Sequence, residues 1–284
     1  MGAAERIPPI LVTLILIFAA LVPTNHSAAT ATEDVTISYA FTSPGYSLHE
    51  PVILRFSLHN DLRQPIRLDL GRNYKEHFLI TVTSPNGSRV AVPPLRAQGA
   101  ARTGLVTLEG GGEFKQNLVL NEWIKFETIG RYEIEIRLAE PVQSPNGNPL
   151  PDAAQLGVFH GSVEVTPEDP NRLASVCDLL ANRVEESSSF EQAWDAALAL
   201  SFIDDPIAVP YLRKVLHAKR GVEFAAIDGL ERIADPSSVA SLISALSMTD
   251  DPSTPLKARS ALQRIAAMTT DPAEQQSIRD ALAK

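Results

Sequence analysis

Residues 196–246 read AALALSFIDDPIAVPYLRKVLHAKRGVEFAAIDGLERIADPSSVASLISAL, and this stretch decides the fold because it contains one pattern twice. Each copy has an apolar stripe of helical spacing, a break and a second stripe. A repeat of this length without strand-like alternation predicts helical hairpins that bury their faces against their neighbours. The residues that return thirty positions later are Ala196, Leu200, Ile203, Pro206, Val209, Leu212 and Leu216, matched by Ala226, Leu230, Ile233, Pro236, Val239, Leu242 and Leu246.

The break in each copy is the dipeptide Asp-Pro, at 205–206 and 235–236, and the same dipeptide recurs at 169–170, 251–252 and 271–272. An aspartate there can accept hydrogen bonds from free amides of the next turn, and proline at the first helical position needs no donor. A metal or acid–base role for these regular carboxylates is the alternative. The capping interpretation predicts one helix followed by three hairpins, at 171–186, 190–203, 206–217, 222–234, 236–247, 256–268 and 272–283.

The segment 168–284 resembles the short HEAT repeats first noted in phycobilisome lyases. In those repeats Ala-x-x-x-Leu-x-x-Ile ends one helix and Asp-Pro opens the next, and a third copy here has Ala258, Leu262 and Ile265. The resemblance implies a short HEAT-like α-solenoid. It raises a lyase activity only by analogy of fold, which is a weak basis for assigning function.

A candidate binding surface follows from the second helix of the first hairpin. In such arrays the second helices line the concave face, where partners usually lie. The stripe at 209, 212 and 216 leaves Tyr211, Arg213 and Lys214 towards solvent. An aromatic ring and two cations at one edge could anchor an acidic peptide segment, and a solvated helix face is the alternative.

Between 32 and 167 the apolar period changes to two, which predicts strands with one buried and one exposed face. Turn signals such as Pro44-Gly45 and Asn86-Gly87 separate them. About seven short strands spaced by turns predict an antiparallel β-sandwich of immunoglobulin-like type. The predicted strands lie near 35–41, 52–59, 78–83, 114–120, 131–138 and 158–165.

The sequence of this β segment is similar to the β-sandwich domain of the bacterial intracellular proteinase-inhibitor family and its exported relatives. The similarity lies in EPVILRFSLHN (50–60), FLITVTSPNG (78–87), LVTLEGGGEFKQNLVLNEW (105–123) and GRYEIEIRL (130–138). It implies protease inhibition only if an exposed loop enters a protease cleft in extended form. The long loops 93–104 and 140–157 are functional or mobile segments by their length, but no residue singles either out as inhibitory.

The segment 1–31 has the pattern of a signal peptide. The apolar run 10–22 follows Arg6 and is shorter than the roughly 20 residues needed to cross a bilayer, and Ala29-Thr30-Ala31 fits a cleavage site. We therefore expect an exported protein, periplasmic or extracellular, with no membrane span after signal cleavage; an uncleaved anchor is the alternative. One cysteine, Cys177, allows no intramolecular disulfide, and its apolar neighbours favour a buried thiol.

Motifs and charge bear on the class of function. The six histidines include no pair at i, i+3 or i, i+4, and no nucleophile-elbow, phosphate-loop or dinucleotide pattern occurs, so we predict no metal, cofactor or catalytic residue. A site assembled in space from His49 or His59 with Glu50 stays open. The net charge is −9, with 18 acidic and 12 basic residues in 168–284, which argues against nucleic-acid binding.

Together these observations predict a multidomain chain, all-β followed by all-α. A signal peptide (1–31) precedes an immunoglobulin-like domain (32–167) and a HEAT-like repeat domain (168–284). The predicted function is a non-catalytic exported binding or scaffold protein of the bacterial cell envelope with an unknown protein or peptide partner. A protease-inhibitor-like binder, and an enzyme or lyase of unrecognised type, are the alternatives.

Overall fold

A computed structural model describes residues 28–31, 35–93, 103–153, 156–218, 221–248 and 251–283. Strands occupy the first part of the chain and helices the second, so the prediction of sheets followed by helices is confirmed. The predicted signal peptide lies outside the described residues except for 28–31, which form the first strand.

The described strands form two larger sheets and a two-stranded ribbon. The four-stranded sheet has the order β1-β2-β4-β9, the five-stranded sheet the order β3-β11-β10-β6-β7, and β5 pairs with β8. All pairs are antiparallel except β3 with β11. The strands are β1 (Ala28–Ala31), β2 (Val35–Phe41), β3 (Gly45–Ser47), β4 (Ile53–Asn60), β5 (Ile66–Asp69), β6 (Phe78–Thr83), β7 (Arg89–Ala91), β8 (Leu105–Leu108), β9 (Glu113–Val119), β10 (Gly130–Leu138) and β11 (Phe159–Thr166).

The two larger sheets share one apolar core, which draws on buried residues of both. The Phe56 ring of β4 lies 5.3 Å from that of Tyr39 and 5.2 Å from that of Phe78, in tilted and edge-to-face contacts. Fully buried Asn60 ends β4 and donates to the carbonyl oxygens of Gln64 and Leu108 at 3.0 and 2.9 Å. This buried amide holds the β5–β8 ribbon against the end of the four-stranded sheet.

The described helices form two series of neighbours. Helices α2, α4 and α6 contact one another in order, and so do α1, α3, α5 and α7. Short 3-10 turns, Pro206–Ala208 and Pro236–Ser238, precede α3 and α5. The helices are α1 (Pro170–Glu186), α2 (Phe190–Ser201), α3 (Val209–Leu216), α4 (Glu223–Ile233), α5 (Val239–Ala245), α6 (Ser253–Met268) and α7 (Pro272–Leu282).

The aspartates of the Asp-Pro dipeptides cap these helices and turns. Asp169 accepts from the amides of Asn171 and Arg172, each at 3.1 Å. The side chains of Asp205, Asp235 and Asp271 each accept from the amide two residues on, at 2.8, 2.8 and 2.9 Å. The capping interpretation is therefore confirmed at these four positions.

The helical part packs on the outer side of the four-stranded sheet. Val119 of β9 belongs to the helical core, and Ile53 of β4 packs against that core. Beside them, the Asn117 amide on β9 donates to the carboxylate of Asp195 on α2 at 3.0 Å. The two parts thus share apolar and polar contacts along one junction.

Candidate functional site

Helix α3 carries the residues predicted to bind a partner, and it lies between α1 and α5. Its apolar residues recur at helical spacing, so one face is buried while Pro210 and Lys214 are exposed and Tyr211 and Arg213 are half-buried. Tyr211 packs against the helical core. The buried residues are Val209, Leu212, Val215 and Leu216.

Lys214 connects α3 to α1. Its ammonium nitrogen Nζ lies 3.0 Å from the Glu185 carboxylate and donates to the Asn182 side-chain oxygen, also at 3.0 Å. The side chains of Lys214 and Glu185 are each 42% exposed. Because an exposed ion pair contributes only about 0–1 kcal/mol, a partner carboxylate can replace Glu185 at little cost.

Arg213 connects α3 to α5. Its Nε donates to the Ser241 hydroxyl at 3.1 Å. Within the described residues, the Nη1 and Nη2 groups of Arg213 donate no hydrogen bond. The Ser241 contact holds the guanidinium across two helices and leaves an edge with the fork geometry that suits a carboxylate.

A depression of about 360 Å³ adjoins Lys214, between α1 and the start of α2. Leu179 in its lining is 57% exposed, although it stands on a helix whose apolar stripe is otherwise buried. Asn182 lines the depression and also binds Lys214. The sequence analysis did not predict this depression. The feature that could have indicated it is Leu179, an apolar residue outside the buried apolar stripe of α1. The remaining lining residues are Arg183, Glu186, Ser187 and Gln192.

A second depression lies on the outer face of the five-stranded sheet, over β6, β10 and β11. Its charged side chains are paired within the sheet: Arg89 with Glu135 at 2.9 Å and Arg131 with Glu133 at 2.6 Å. Because these charged groups already pair with each other, they are less suited to bind a charged partner than the cations of α3. Helix α3 therefore remains the better candidate.

The histidines and Glu50 considered from the sequence do not form one site in the described structure. The His59 Nε2 lies 3.0 Å from the Asp61 carboxylate. Glu50 instead accepts from the Arg172 guanidinium of α1 at 2.8 Å. Within the described ranges, no group of three or more His, Cys, Asp or Glu side chains could hold a metal ion.

Cys177 of α1 is fully buried, as its helical spacing predicts. Burial, with a smaller contribution from the nearby charge of Asp205, raises the pKa of its thiol to about 12. A thiol in this environment is inert at neutral pH, because the thiolate is the reactive form.

The proline-rich loop 140–157 is anchored at its start, while its residues 145–149 are exposed. Gln143 and Arg67 exchange two backbone hydrogen bonds, at 2.8 and 2.9 Å, and Val142 is fully buried. The base of the loop is therefore held in place by backbone pairing with β5. Most of the other long loop, 94–102, lies outside the described residues.

No family model and no curated protein matches this chain. Two solved structures of a beta-glucosidase from Listeria innocua, in complex with glucose and with gluconolactone, are similar to it with TM-scores of 0.26 and 0.24 and identities of 12% and 13%. Each match covers 50% of this chain and 16% of the enzyme chain.

The sequence predicts a protein that is not an enzyme, whereas both similar structures are enzymes, so that prediction is withdrawn and no activity is assigned in its place. TM-scores this low assign neither a fold nor a glycosidase activity to this chain. Among the described helices, none has the length and apolar character needed to span a membrane.

Proposed function

We propose that this chain is an exported protein of the bacterial cell envelope that binds a protein partner through helix α3. In this proposal an immunoglobulin-like β-sandwich, residues 32–167, carries a short HEAT-like α-solenoid, residues 168–284. The shared core of the two larger sheets supports the first assignment, and the two series of helices with their thirty-residue period support the second.

The observation that carries the proposal is the position of α3 between two neighbours that it contacts through its cations. Lys214 reaches Glu185 on α1 and Arg213 reaches Ser241 on α5, so three helices share one polar surface. The exposed Leu179 beside that surface supplies an apolar anchor point. A segment with one apolar side chain and flanking carboxylates matches this arrangement.

The test is a pull-down from envelope extract with tagged protein covering residues 32–284. The Arg213→Glu, Lys214→Glu variant reverses two charges at the surface and should lose the partner. Arg264→Glu changes an exposed arginine of α6 and is the matched control, which should retain it. Mass spectrometry identifies the partner that is retained. We expect the Kd for that partner to be about tenfold higher or more in the double variant than in the parent.

A partner retained equally by parent, control and double variant would contradict the role of α3 while leaving protein binding in place. Absence of any specifically retained protein, with all three variants folded by circular dichroism, would contradict the proposal as a whole.

A further inference from the structure

The outward face of α2, α4 and α6 carries a row of apolar side chains in repeat register. Trp194, Phe224 and Leu256 each stand two residues before the alanine that opens the core stripe of their helix. Trp194 and Phe224 are half-buried, and Leu256 is 70% exposed. Phe190 extends the row, since its ring is 42% exposed and stacks on Trp194 at 6.0 Å. These four residues are called the apolar row.

Carboxylates predominate around the apolar row. One cation, Lys257, lies over the row, with Nζ 5.3 Å from the Phe224 ring centroid. That ammonium is already paired with Asp228 and lies 3.0 Å from Glu231. The described carboxylates of this face are Glu191, Glu223, Asp228 and Glu231. Among the described residues, the apolar row is therefore bordered by net negative charge.

The spacing between the apolar side chains of neighbouring helices constrains the backbone conformation of a segment that binds along the apolar row. Packed helices stand about 8–10 Å apart, and equivalent side chains of neighbouring helices share that spacing. A polyproline II segment returns to one face every three residues, at about 9 Å, whereas a β-strand does so every two residues, at about 6.6 Å. Of the two, the polyproline II period is closer to the general spacing of packed helices.

We propose that the apolar row binds an extended, proline-containing segment of a partner that has an apolar side chain at every third position and lysine or arginine between them. The apolar side chains pack on Trp194, Phe224 and Leu256 in turn. The cations of the segment face the carboxylates of α2 and α4. This surface lies on the other series of helices from α3, so the inference does not depend on the function proposed for Arg213 and Lys214.

The test measures binding of a fluorescently labelled synthetic peptide, Leu-Pro-Lys repeated four times, to the protein by fluorescence anisotropy. We expect saturable binding that weakens about tenfold in Leu256→Ser, which removes one anchor. Because Leu256 is mostly exposed, this variant should keep the thermal stability of the parent. Met268→Ser at the C-terminal end of α6, a methionine 60% exposed, is the matched control and should bind as the parent does.

Two further arms test the charge and the independence of the site. A Leu-Pro-Glu peptide should not bind, and Glu223→Gln should weaken binding of the Leu-Pro-Lys peptide. The Arg213→Glu, Lys214→Glu variant should bind it unchanged. Absence of saturable binding, equal affinity for the two peptides, or equal affinities in the Leu256→Ser and Met268→Ser variants would overturn the proposal.

Discussion

At the scale of single residues, the junction between the two parts contains ionisable groups that are held away from water. Lys75 and Glu122 form an ion pair of 2.6 Å with side chains only 9% and 14% exposed. Asp195 of α2 faces them and accepts a hydrogen bond from Asn117. Burial raises the pKa of Asp195, and the charge of Lys75 and the Asn117 hydrogen bond offset part of that effect.

The raised pKa of Asp195 makes stability depend on pH in a defined direction. The folded protein holds this proton more tightly than the unfolded chain, so the contribution favours folding at low pH and is lost as the pH rises through the folded-state value. Asp195→Asn keeps the shape and removes the charge. We expect its stability relative to the parent to increase between about pH 4 and about pH 7, measured by urea unfolding at each pH.

Asp280→Asn, which neutralises an exposed carboxylate of α7, is the matched control for that experiment. The idea fails if the parent and Asp195→Asn lose or gain stability in parallel across this pH range.

At the scale of elements, α2 and α4 approach closely because α4 has a glycine at the contact. A Cβ added at Gly229 would lie 3.0 Å from the Ser201 Cα and 2.8 Å from a methyl group of Leu212. Arg232, one turn on, stacks 4.2 Å over the Phe202 ring and donates to the Ser201 carbonyl. The glycine therefore costs helix propensity but permits the packing that buries the repeat core.

The central position of α4 in its series predicts a large difference between two leucines on equivalent helices. Leu230 is fully buried in α4, which contacts both α2 and α6, whereas Leu256 of α6 is mostly exposed. We expect Leu230→Ala to lower the free energy of unfolding by about 2–5 kcal/mol because it leaves a cavity. Leu256→Ala should change it by no more than about 0.5 kcal/mol.

Chemical denaturation of the two variants measures the free energy of unfolding of each. If Leu230→Ala and Leu256→Ala lowered it equally, burial of Leu230 between α2 and α6 would not be what stabilises the repeats.

Much of the element order follows from the sequence because its signals are local. Helical stripes and Asp-Pro caps place all seven helices within a few residues, and alternation places β2, β4, β6, β9, β10 and β11. The short strands β1, β3, β5, β7 and β8 were not predicted, since three or four residues carry no clear alternation. For the candidate site, the sequence indicates α3 but not Glu185 or Ser241, because those contacts depend on how separate helices pack.

At the scale of the whole molecule, one arginine joins the two parts. Arg172 of α1 donates from Nε to Glu50 at 2.8 Å and from Nη2 to the Gly45 carbonyl at 2.6 Å. Glu50, only 6% exposed, also accepts from the Ser47 amide at 2.6 Å, while the Ser47 hydroxyl accepts from the Asp169 amide at 2.9 Å. This network attaches the start of the helical part to the turn after β3.

Removing that arginine should weaken the coupling between the parts. Arg172→Ala leaves a buried carboxylate without its charged donor, at a cost of about 2 kcal/mol. We expect calorimetry to show the helical part melting ahead of the β part, in place of a shared transition. Arg279→Ala on α7 removes an exposed, hydrogen-bonded arginine and should leave the profile unchanged. A melting profile of Arg172→Ala identical to that of the parent would rule out this coupling.

The Arg172 network also has a temporal consequence for synthesis. Glu50, Ser47 and the strand β11 that holds β3 all precede Arg172 in the chain, so their binding surface can be complete before α1 emerges. Helix α1 would then pack against an already folded β part, and each later helix would pack against the helix before it. Among the described helices, α7 buries fully only Ile278 and should be the first to fray.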